Sequence, residues 1–133
     1  MSRKTWAMSA FIGCLMGLIA PLAQAASDET SNLAQDFATC LGRYAAQQNY
    51  DRLMGRDVSE AAARAQMFGE LLDAIAPAED DGLRALRKSR KGAEGAHWTL
   101  LHSADFSFDP RLAHHAQSTA ARNLAMCEML VLG

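Results

Sequence analysis

Two cysteines set inside helical apolar stripes constrain this chain more than any other feature. Around Cys40, apolar residues recur at steps of three and four: Leu33, Phe37, Cys40, Leu41 and Tyr44. The same rhythm surrounds Cys127, through Ala113, Ala116, Ala120, Leu124, Cys127 and Val131. Such spacing marks one face of an α-helix, and that face turns to the core. Both sulfurs are therefore expected to point into one interior. Cys40 falls in the first half of its helix and Cys127 near the end of the last. A bridge requires these helices to run antiparallel, because a parallel pair would separate the cysteines by roughly 15 Å at about 1.5 Å per residue.

A disulfide also needs an oxidising compartment, and residues 1–25 read as the route to one. Arg3 and Lys4 give a basic start, residues 6–22 an apolar stretch, and Ala23-Gln24-Ala25 a small-x-small cleavage pattern behind Pro21. Two other readings stand beside a cleaved signal. Gly13-Cys14 could take a lipid, although the apolar run before it is short. The stretch could also remain as an anchor, although Gly13, Gly17 and Pro21 weaken it as a span. Cleavage after Ala25 leaves residues 26–133, one domain by length, with 11 basic against 15 acidic residues. Cys40 and Cys127 are then the whole cysteine complement, and pairing them is the default. The mild acidity does not suggest a nucleic-acid partner. Abundant alanine, and arginine in excess of lysine, fit a GC-rich bacterial genome, which makes the expected compartment the periplasm. No stable membrane insertion is expected after cleavage.

Four helices are expected, at 33–50, 58–75, 80–104 and 110–130. The polar segment 26–32 is expected to fray, apart from a capping role near 28–31. Gly42 lies off the first stripe and marks a close approach or a bend. Asp57 and Glu60 resemble a capping box before the second helix, whose stripe is Ala61, Ala65, Phe68, Leu72 and Ile75. Pro77 ends it. The third stripe reads Leu83, Leu86, Arg90, Ala93, His97, Leu100 and Ala104, with Gly92 and Gly95 as a kink or break. Asp109-Pro110 starts the fourth helix. No strand-like alternation is seen. The expected fold is all-α, an up-down-up-down four-helix bundle closed by a disulfide between its first and last helices.

Little in the sequence carries chemistry. No G-x-S-x-G, phosphate loop, H-E-x-x-H or recognisable pair of catalytic carboxylates occurs, so no catalytic residue is named. His97, His102, His114 and His115 contain no pair at the helical i,i+4 spacing of a metal site. Met126 and Met129 flank Cys127 one turn apart and motivate a soft-metal or small-ligand carrier as an alternative. No cofactor or metal site is expected otherwise. Arg90 and His97 interrupt an apolar stripe and form a candidate polar pocket beside Ala93 and Ala96. Trp98 and Leu101, off that stripe, are a candidate binding patch with the basic run Arg84, Arg87, Lys88 and Lys91, which suits an anionic surface. A solvated helix face for the run, and inward packing for Trp98 and Leu101, are the plainer readings.

FATCLGRY (37–44) and the late cysteine of LAMCEMLV (125–132) resemble a set of small, uncharacterised bacterial exported proteins. These share a signal peptide, an F-A-x-C-x-G-R segment and a second cysteine near the C-terminus. The resemblance implies no activity. It draws notice to Gly42 and to Arg43, which is placed to meet a buried acid or to lie on the surface. The leading expectation is a binding or structural protein of the cell envelope, with an envelope protein or anionic component as partner; an unrecognised enzyme is a further alternative.

Overall fold

The computed structural model describes residues 20–132, with side chains from residue 27 onward. Most of the expected signal, Cys14 included, lies outside the described residues. Four helices follow one another: α1 (Ala20–Leu53), α2 (Ser59–Ile75), α3 (Asp80–Phe106) and α4 (Pro110–Leu132). No strand occurs among the described residues. None of these helices is long and apolar enough to cross a membrane.

Helix α1 starts well before residue 33, the expected start. Residues 27–33 are exposed but helical. They hold no glycine or proline, so their polarity sets exposure rather than conformation. The helix stops at Gly55, whose φ of 67° places it in the left-handed region. The Arg56 N–H reaches back to the Asp51 carbonyl at 2.8 Å and the Gly55 N–H to that of Arg52 at 3.3 Å. This pattern closes the helix end, and glycine adopts it at least cost. Asp57 then caps α2 by accepting from the Ser59 N–H at 3.0 Å and the Ser59 hydroxyl at 2.7 Å. Those bonds hold its carboxyl below the ordinary range. Asp109 does the same for α4, accepting from the Arg111 N–H at 2.9 Å, with Pro110 in the first turn.

Helix α3 runs unbroken through Gly92 and Gly95. Of the kink and the break that the glycines allow, the break is absent, and buried side chains anchor the helix on both sides, Leu86 before the glycines and His97 after them. Two apolar clusters form the interior. The larger gathers Phe37, Cys40, Tyr44, Ala61, Phe68 and Cys127, with Leu72, Ile75, Leu124 and Val131 against it. Phe68 is fully buried between Phe37 and Tyr44, its ring centroid 6.0 and 5.8 Å from theirs. The smaller joins Ala34 and Ala38 to Leu86.

Helix α1 is the hub. It packs on all three other helices, and α3 also packs on α4. The Cα atoms of α2 stay more than 8 Å from those of α3 and α4. The α1–α3 contact is made at Gly42, where an added Cβ would fall 3.0 Å from the Glu94 nitrogen and even nearer the Arg90 carbonyl oxygen. Close approach, not a bend, is thus the role of Gly42. Cys40 and Cys127 form a disulfide with Cα atoms 5.6 Å apart, tying α1 to α4.

Candidate functional site, an acidic cleft

The second half of α1 is polar on the side away from Phe68, and this side builds a site. Tyr50 and Asp51, one on each side of the last full turn, are both buried. The Tyr50 hydroxyl donates to Asp105 Oδ2 at 2.9 Å, and Arg56 Nη2 donates to the same oxygen at 2.8 Å. The Tyr50 bond, helped by Arg56, holds the Asp105 carboxyl below its usual range. Burial first, and then the bond to Asp105, push the Tyr50 phenol up to about 12. Trp98 closes this corner with its ring edge-on to Tyr50, centroids 5.2 Å apart.

A polar chain crosses from here into the α1–α3 interface. Gln47 Nε2 donates to Asp51 Oδ2 at 2.9 Å, and Gln47 Oε1 lies 3.1 Å from His97 Nε2. A carboxylate only accepts, so the Gln47 amide must turn its oxygen to His97, which then donates from Nε2. That leaves His97 Nδ1 as a bare acceptor, buried and without a hydrogen-bond partner. Burial, and then the nearby Arg43 charge, lower the His97 pKa from 6.5 to about 4.

Gln47, Asp51, Arg56 and Asp105 face a cleft of about 720 Å³ bounded by all four helices. Asp51, Asp57, Glu60, Asp105 and Glu128 bring five carboxylates to its lining, against Arg56. Arg64 reaches Glu128 only at 3.9 Å. Apolar wall comes from Leu101, Ala104, Ala121 and Leu124. Tyr44 also lines the cleft, and its hydroxyl is buried without a hydrogen-bond partner of good geometry. Burial first, and then Glu128 close by, raise this phenol above its ordinary value. Glu128 is thus the neighbour to which this hydroxyl turns. Beside it, the carboxylates outnumber Arg56 and give the cleft an excess of negative charge.

The residues singled out from sequence are placed differently from the expected pocket and patch. His97 is buried but Arg90 is exposed. Helix α1 comes so close to the Arg90 backbone at Gly42 that no volume remains there for a long side chain, which runs out to water. The cation acting on His97 is Arg43. No buried acid meets Arg43, which donates instead to the Asn123 carbonyl at 3.0 Å and to Cys127 Sγ at 3.6 Å. Trp98 packs inward on Tyr50, and Leu101 lines the cleft, so neither forms an outer patch with the basic run. Arg84, Arg87, Lys88 and Lys91 are exposed, with Arg84 on Asp81 at 3.0 Å and Lys91 on Glu94 at 3.1 Å. Met126 and Met129 face outward. Among the described residues, no three His, Cys, Asp or Glu side chains gather as a metal site would require.

The cleft itself escapes sequence reading because its acids come from four helices and share no spacing. The one local signal is Asp51, an acid at the end of an apolar stripe. No family model, curated protein or solved structure matches this chain.

The buried histidine sets a pH dependence. Its folded-state pKa is depressed, so the unfolded chain binds the proton more readily, and the associated stability is full above pH 6.5 and falls as pH drops toward 4. The shift corresponds to at most about 3 kcal/mol. Urea midpoints of the native chain are expected to fall from pH 6.5 to 5, with a shallower fall in His97→Gln. Equal slopes in the two proteins would remove His97 from the account.

Proposed function

We propose that this chain is an exported envelope protein that works by binding, and that its acidic cleft receives the lysine or arginine side chains of a protein partner. One observation carries the reading: five carboxylates, from all four helices and the α1–α2 connection, share one cleft lined by a single cation, Arg56. A cationic head would neutralise the carboxylates, and its aliphatic stem would lie along Leu101, Ala104 and Leu124. Asp105 is held ionised by Tyr50 and Arg56, which suits holding charge better than moving protons.

Export to the periplasm is supported by the signal pattern of residues 1–25 and by the disulfide, which belongs to an oxidising compartment. The resemblance to small exported bacterial proteins agrees with it. An up-down-up-down path is supported by the order of contacts. Tyr44 and Phe37 of α1 meet Phe68 of α2, Gly42 and Tyr50 meet Arg90 and Trp98 of α3 in rising order, and Cys40 and Arg43 meet Cys127 and Asn123 of α4 in falling order.

The test is a calorimetric titration of the oxidised protein with a short Lys-Ala peptide and with its Glu-Ala counterpart. Binding of the Lys peptide alone is expected, weakening as salt rises. The Glu60→Gln/Glu128→Gln variant is expected to bind about tenfold more weakly, the size of one or two solvent-facing charge pairs. Failure of the Lys peptide to bind at low salt, or binding indifferent to the double substitution, would sink the proposal.

A further inference from the structure

A second hollow lies across the α1–α3 interface from the acidic cleft, with the opposite chemistry. It is about 480 Å³ in volume and is lined by Thr39 and Arg43 of α1, Lys88, Ser89 and His97 of α3, and Asn123 of α4. Gly92, Ala93 and Ala96 give it a floor of small residues. No carboxylate lines it.

Arg43 is the anomaly here. Its guanidinium is part-buried, yet among the described residues no carboxylate stands within ion-pair distance. Its two acceptors are neutral, a backbone carbonyl and a disulfide sulfur. The acid acting on it is the exposed Asp36, beyond ion-pair reach. Buried cations are ordinarily matched by an anion. Lys88 likewise has no ion pair among the described residues, whereas its neighbours Arg84 and Lys91 do. Thr39, Ser89 and Asn123 add neutral donors, so donors outnumber acceptors around the hollow. His97 Nδ1 is buried beside the hollow without a partner.

We propose that this hollow binds the phosphate group of a phosphate monoester. Arg43 and Lys88 hold the phosphate, with Thr39 and Ser89 donating to its remaining oxygens. Three strong acceptor oxygens match this donor set better than the two of a carboxylate. The proposal does not rest on the acidic cleft or on its proposed partner.

The test is a titration of the oxidised protein, followed by amide and arginine side-chain NMR, with glycerol phosphate, inorganic phosphate, lactate and glycerol. Glycerol phosphate and inorganic phosphate are both expected to shift Arg43, Gly92, Ala96 and Asn123. Lactate is expected to bind more weakly than either, and glycerol not at all. Arg43→Gln is expected to lose at least about tenfold in affinity. Because Arg43 also supports Asn123 and the disulfide, Lys88→Gln serves as a second variant that leaves the core alone, with a loss of severalfold. Tighter binding of lactate would overturn the phosphate assignment. Shifts spread over the exposed Arg84 and Arg87, or affinity unchanged in Lys88→Gln, would overturn the site.

Discussion

Gly42→Ala is expected to destabilise the protein by about 4 kcal/mol or more, among the larger effects a single methyl group can have. The added carbon would sit inside the contact radius of the Arg90 carbonyl oxygen and 3.0 Å from the Glu94 nitrogen. Both obstacles are backbone, so no side chain can rotate away. Helices α1 and α3 would have to separate, and the contacts made on either side of Gly42 would loosen with them. Those contacts include the Ala34, Ala38 and Leu86 cluster and the Gln47 bond to His97. The control lies on the exposed side of α3. Gly92 and Gly95 have nothing within 4 Å of an added Cβ. Alanine at either is expected to be neutral or to stabilise by up to about 1 kcal/mol through helix propensity. Urea denaturation of the three variants measures the contrast. A Gly42→Ala midpoint close to those of the other two would mean that α1 and α3 do not meet as described.

Removing the disulfide is the second large effect. The bridge spans 87 residues of sequence, and the chain-entropy relation assigns such a loop about 4.6 kcal/mol. A domain of this size commonly has only about 5–15 kcal/mol in total. The Cys40→Ala/Cys127→Ala variant is therefore expected to be folded only marginally, with its midpoint falling far more than its denaturant slope. Substitution of both residues avoids leaving a reactive thiol in the core, where both sulfurs are fully buried. Loss of less than about 1 kcal/mol would show that the helices hold α4 in place without the bridge, against the entropic account.

Much of the architecture was legible because buried side chains repeat at helical spacing. Phe37, Cys40, Tyr44, Phe68, Leu86, Ala116, Ala120 and Cys127 are all core residues and all stood in the expected stripes. The caps at Asp57 and Asp109 were legible for the same reason, since a cap is a local event. The start of α1 was not, because a polar helix and a polar coil share a composition. Arg90 misled for a deeper reason. Its position on the helix faces the interior, but the partner there is a glycine, and contact between two backbones leaves no room for what the position would otherwise bury. The acidic cleft and the cationic hollow depend on residues such as Asp51, Asp105 and Glu128, or Arg43 and Asn123, that come together only when the helices are assembled.

The arrangement around α1 has a consequence for motion. Helices α1, α3 and α4 contact one another and are crosslinked by the disulfide, while α2 approaches the backbone of α1 alone. Release of α2 leaves the disulfide and the α1–α3–α4 contacts intact but uncovers Phe68, and amide exchange in α2 compared with α1 measures what that opening costs. Because the α2 end bearing Glu60 and Ala61 forms one bank of the acidic cleft, that opening changes the width of the cleft and leaves the cationic hollow on the far side untouched.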